Sequence, residues 1–148
     1  MKIAYGRSDG GVDIVIPASM NDLKKVLGDD LTEEAYLQFV WDRSVPVNAI
    51  NPRWITDDEI PEDTSFRDAW KHEENVISVN MDKAREIHMG RIRAVRNEKL
   101  AELDVQTMKG IDVQDKKQVL RDLPKTVDLT TAFTTDELKA IWPQELLK

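Results

Sequence analysis

The run from Asn80 to Lys109 sets the terms for the rest of the chain, because it reads as one long amphipathic helix. Asn80 has the side chain of an N-cap, Asp82 falls in the first turn where the helix dipole favours an acid, and Gly110 stands where a left-handed residue closes such a helix. No proline interrupts the run, and its one interior glycine, Gly90, costs roughly 1 kcal/mol relative to alanine. At about 100° per residue, Met81, Ala84, His88, Ile92, Val95 and Leu103 gather on one arc. Ile87, Ala94, Ala101, Val105 and Met108 gather on a second, with Arg91 and Glu98 between the two arcs on one side. A surface helix in a single layer needs only one apolar stripe. Two stripes imply two things to pack against: its own domain, and then a further part of the chain, a second copy or a different protein.

Ahead of this helix the pattern changes to short strands and short helices. Lys2 to Gly6 and Val12 to Ile16 alternate apolar and polar residues around Ser8-Asp9-Gly10-Gly11, which predicts a hairpin whose glycines supply the positive φ values. Pro17 stops the second strand. Ser19 to Leu27 predicts a short helix capped by Ser19 and closed by Gly28, and Thr32 opens another that runs to about Arg43. Asn48 to Ile55 and Asn75 to Val79 are the third and fourth expected strands, separated by an acidic loop from Asp57 to Asp63 and by Phe66 and Trp70. Beyond the long helix, Asp112 to Leu123 predicts a helix ended by Pro124, and Lys125 to Phe133 an irregular linker. Thr134 and Glu137 form a capping box for a last helix ending at Trp142-Pro143. The expected fold is therefore α+β: a small antiparallel head over residues 1–79, then a helical region over 80–148 with helices at 80–109, about 112–123 and 135–142.

Composition narrows the function. A chain of 148 residues with 41% hydrophobic residues can bury a modest core, while 33% charged residues point to much solvated helix surface. The net charge of −7 works against phosphate backbones and anionic bilayers, so neither nucleic acid nor a membrane is an expected partner. Arg85, Arg91, Arg93 and Arg96 interleave with Glu86, Glu98 and Glu102, a pattern of helix ion pairing rather than of a phosphate-binding strip. The absence of cysteine excludes disulfide and thiolate chemistry. Residues 1–11 lack the apolar run of a signal peptide and no apolar run of about 18 residues follows, so a soluble, cytoplasmic protein is expected.

Catalytic signatures are weak. Of the two histidines, His88 lies on the first apolar arc, where a packed histidine is commoner than a catalyst, and His72 lies in a charged stretch read as a solvated turn. Neither belongs to a zinc-binding motif. Asp57, Asp58, Glu59, Glu62 and Asp63 lack the alternating ligands and central glycine of a calcium loop, and read as caps and solvated loop. No phosphate-binding glycine loop and no nucleophile elbow is present. A protein without catalytic residues, metal or cofactor is the expectation, with a metal-dependent enzyme built on the acidic loop as a remote alternative. Trp41, Trp54, Trp70 and Trp142 suit core boundaries and interfaces alike.

The sequence Phe66-Arg67-Asp68-Ala69-Trp70, followed by Met81-Asp82-Lys83-Ala84-Arg85-Glu86-Ile87-His88, resembles a pattern in small phage and prophage proteins of tail assembly. Lys117-Gln118-Val119-Leu120-Arg121-Asp122-Leu123-Pro124, paired with Trp142-Pro143, is similar to the ending of tail-fibre assembly and tail assembly chaperones. The likeness spans residues 66–143, about half the chain. It implies an assembly factor that binds a tail-fibre or baseplate protein in the host cytoplasm. A structural component retained in the virion tail is the alternative, and a host-directed inhibitor a further one. The expected partner surface is Ile87, Ala94, Ala101, Val105 and Met108, with Trp142 as an anchor, and a homo-oligomer is compatible with it. The competing expectation is that the C-terminal helices fold back and cover this stripe.

Overall fold

The computed structural model describes residues 1–147 and is an α+β fold that divides into two compact units, Met1–Val79 and the part from Asn80 onward. In the first unit, β1 (Lys2–Gly6) is the centre of a three-stranded antiparallel sheet, with β2 (Val12–Val15) on one edge and β3 (Ile50–Ile55) on the other. The β1–β2 turn is held by Asp9, whose carboxylate accepts the Gly11 N–H at 2.8 Å, and Gly10 takes φ +86°. Pairing of β1 with β3 slips between Ala4 and Gly6, where Gly6 lets Ile50 come close.

The strand period sorts the sheet into two faces. Ala4 and Ile55 point to one, where they form a buried core with Trp70 and Ile77 of the hairpin β4 (Trp70–Glu73) and β5 (Val76–Val79). Ile3 and Trp54 point to the other, covered by α2 (Glu33–Ser44) through Trp41, whose ring centroid lies 6.1 Å from that of Trp54. The shorter α1 (Met20–Leu27) precedes it, capped by the Ser19 hydroxyl at the Asp22 N–H. The Tyr36 hydroxyl donates to the Ala18 carbonyl at 2.8 Å and fastens α2 to the link before α1.

Three expectations are corrected here. The stretch containing His72 is not a solvated turn: Trp70–Glu73 is strand β4, and the turn is Glu74-Asn75, both in the left-handed region with φ 49° and 62°. Two successive positive φ values make a two-residue hairpin turn without the usual glycine. The helix expected over 112–123 is α4 (Gln114–Thr126), in which Pro124 lies inside the last turn rather than ending it. Proline there forfeits only one terminal hydrogen bond, and the Val127 N–H still reaches the Leu123 carbonyl at 2.9 Å. The last helix, α5 (Thr135–Ala140), stops short of Trp142, and a 3₁₀ turn over Gln144–Leu146 follows. Its capping is also altered: Thr134 accepts the Glu137 N–H, but the Glu137 carboxylate accepts from Phe133 rather than from Thr134.

The second unit is built on α3 (Met81–Met108), 28 residues long. Asn80 Oδ1 accepts the Lys83 N–H at 3.3 Å, Asp82 pairs with Arg85 at 2.8 Å, and Gly110 closes the helix with φ +85°. After that turn, α4 packs back along α3, and the chain returns through α5 and the 3₁₀ turn along the same helix. Leu120, Leu123, Leu129, Leu138 and Leu146 are the buried leucines these segments contribute. Among the described residues no helix is long and apolar enough to cross a membrane.

Candidate partner-binding surface

The two apolar arcs of α3 have different fates. On the first, Ala84, His88 and Ile92 are buried, and Met81, Val95 and Leu103 are half-buried. Polar side chains on the same side tie the returning chain down in order. Arg85 donates to the carbonyls of Leu129 (3.2 Å) and Ala132 (2.7 Å), His88 Nε2–H to that of Ile141 (2.8 Å), and Lys99 to that of Leu147 (3.2 Å). Near the far end, the Lys117 ammonium of α4, only 7% exposed, meets Asp104 at 2.7 Å. Each tie satisfies a backbone carbonyl or a buried charge that an apolar seam alone would leave unpaired.

The second arc stays open. Ala94 and Ala101 are exposed, Val105 is 51% and Met108 87% exposed, and Ile87 is half-buried. Gly90 shares this face, and beyond its own helical turn no atom of the described residues lies within 4 Å of where its Cβ would stand. The C-terminal segments thus fold back onto the first arc and leave the stripe open from Ala94 to Met108, against the competing expectation of complete coverage. Trp142 is not brought to the stripe: its ring stands edge-on to His88, centroids 5.8 Å apart at 66°, on the buried side. Ile111, just past the end of α3, and Val119 on α4 are exposed as well. A groove of about 270 Å³ between α3 and α4 has Leu103, Val119 and Leu120 as its apolar lining, with Lys99, Lys116, Glu102 and Glu145 at its rim.

Two acids of the 57–63 loop are paired inside the first unit. Asp57 pairs with Lys2 at 2.8 Å, and Glu59 with Arg53 at 2.5 Å. Among the described residues no three His, Asp or Glu side chains converge as metal ligands would. Arg53 lies on the Ala4 face of the sheet and reaches the β4–β5 hairpin. There its Nε–H donates to His72 Nε2 at 3.0 Å and its other end donates to the Asn75 carbonyl. Burial first, and the Arg53 charge second, hold the His72 pKa below its ordinary value. The Arg53 hydrogen bond and the Thr56 N–H hold Glu59 below the usual carboxylate range. Neutral His72 accepting at Nε2 carries its proton on Nδ1, which is buried with no acceptor among the described residues. This network is a clasp between sheet and hairpin. Its members were invisible as a set because 19 residues separate Arg53 from His72. The buried Lys117 was equally illegible, since a lysine in an exposed helical pattern gives no sign that its head will be covered.

No protein-family model, no curated protein and no solved structure matches the chain.

Proposed function

We propose that this chain is a phage tail-associated binding protein whose favoured role is that of a chaperone in tail-fibre assembly. One observation supports the binding role above the others: α3 keeps apolar residues from Ala94 to Met108 open to solvent, with Ile87 half-buried at the head of the line, after its own unit has folded. An amphipathic helix with a spare face recognises protein partners by laying that face on a complementary apolar one. The tail assignment comes from the likeness of residues 66–143 to tail assembly proteins. The charge distribution suits the role as well. Residues 1–79 hold 8 Lys and Arg against 16 Asp and Glu, whereas residues 80–148 hold 13 against 12. A strongly acidic unit carried on a near-neutral binding unit adds like charge to any complex and so resists its aggregation.

Co-expression with the neighbouring tail-fibre gene tests this reading. Soluble trimeric fibre is expected only when this protein is present, with the chaperone itself missing from mass spectra of purified particles. Fibre that folds equally well without it would remove the chaperone role.

A further inference from the structure

The open face of α3 has an order that a generic sticky surface does not need. Ile87, Ala94, Ala101 and Met108 recur at intervals of seven, with Gly90 and Val105 beside them on the same face. Seven residues is the period that keeps one seam of a helix in contact with a second helix along its length. The charges are sorted by end. Arg91, Arg93 and Arg96 precede the midpoint of the stripe, while Glu98, Glu102 and Asp104 follow it. Lys99, the one cation among those acids, is turned to the Leu147 carbonyl. A helix polarised in this way repels a parallel copy of itself and attracts an antiparallel one.

We propose that a second copy of this chain docks on the stripe, the two α3 helices running antiparallel about a two-fold axis near Asn97 and Glu98. In that register Ala94 lies on Ala101 of the other copy, Ile87 on Met108, and Gly90 on Val105. Alanine on alanine lets the backbones approach closely at the centre, and the absent side chain of Gly90 makes room for Val105. On the flanks, Arg91 and Arg93 of each copy face the half of the other that holds Glu102 and Asp104. Asp104, although it pairs with Lys117 in its own unit, keeps 64% of its side chain exposed for this. The contact runs about 32 Å along the helices, at 1.5 Å per residue. Glu98 meets its own copy beside the axis. This single like-charge meeting keeps the pairing reversible, so that a tail protein of the kind proposed above can displace the second copy. The self-pairing itself follows from α3 and does not depend on that identity.

The chain has no cysteine, so Ala94→Cys and Ala101→Cys each introduce a single thiol at an exposed helical position. When the two variants are mixed and oxidised, the mixed 94–101 disulfide should dominate. Each thiol is separated from its own copy by seven residues of helix, about 10 Å along the axis. Sedimentation of the unsubstituted chain should show a monomer–dimer equilibrium. Ala101→Arg, with unchanged helix content by circular dichroism, should shift its midpoint at least tenfold toward monomer. A chain that stays monomeric up to about 1 mM, or a 94–94 disulfide as the main product, overturns the proposal. A monomer that still solubilises fibre would sink self-pairing and leave the chaperone role standing. A dimer without effect on fibre would do the reverse.

Discussion

Arg53 shows what one side chain contributes in a small α+β unit. It is the arginine of β3 that points away from Trp54 and α2, and it gives the sheet its polar connection to the β4–β5 hairpin through His72, Glu59 and the Asn75 carbonyl. The titration directions of its partners fix the pH response. His72 has a folded pKa below its unfolded value near 6.5, so the folded state takes up its proton later than the unfolded one as pH falls. The contribution is intact above about pH 6.5 and is lost as pH falls through the depressed folded value. Glu59, also depressed, adds a second loss below about pH 4.3, the ordinary glutamate range. Urea midpoints should therefore fall between pH 7.5 and pH 5.5 in the natural chain. His72→Gln keeps an acceptor for Arg53 but cannot titrate, and should flatten that step. The same fall in both proteins would show that His72 is not its source.

At the scale of elements, what sequence made legible were the pieces with both a period and a punctuated end. α3 could be read from Asn80 to Gly110 because an N-cap, two apolar arcs and a left-handed glycine all agree. Ser19, Thr32 and Thr134 marked three further helix starts in the same manner. β4 was missed because Lys71, His72 and Glu73 carry no strand signal, and its turn uses Glu74-Asn75 where a glycine would have announced it. The start of α4 was misplaced by two residues because Asp112 lies outside the helix, accepting the Gln114 N–H from the preceding loop. The two apolar arcs of α3 were the legible part of the candidate surface; which arc the returning chain would choose was not, since both are apolar. The tie between α3 and α4 gives a direct check on that choice. Asp104→Ala leaves the buried Lys117 ammonium without its acceptor and should cost about 1–3 kcal/mol. Lys117→Met should be near neutral, because the exposed Asp104 simply regains water. Equal losses from both in chemical denaturation would mean that the pair does not hold α4 in place.

Across the whole molecule the two units differ in charge and in what they leave exposed. One is strongly acidic, with Arg53, His72 and Glu59 engaged in holding sheet to hairpin. The other commits one side of a long helix to its own core and leaves the other side apolar and open. Binding through that open side is the claim on which the proposed function rests, and thiol labelling measures it directly. Single-cysteine variants at Ala101 and at buried Ala84 can be labelled in dilute solution, alone and with the tail-fibre protein. The predicted result is fast labelling at position 101 and slow labelling at position 84 in the free chain, with position 101 becoming protected when the fibre protein is added. Slow labelling at position 101 in the free, dilute chain, or a rate there that the fibre protein leaves unchanged, would contradict it.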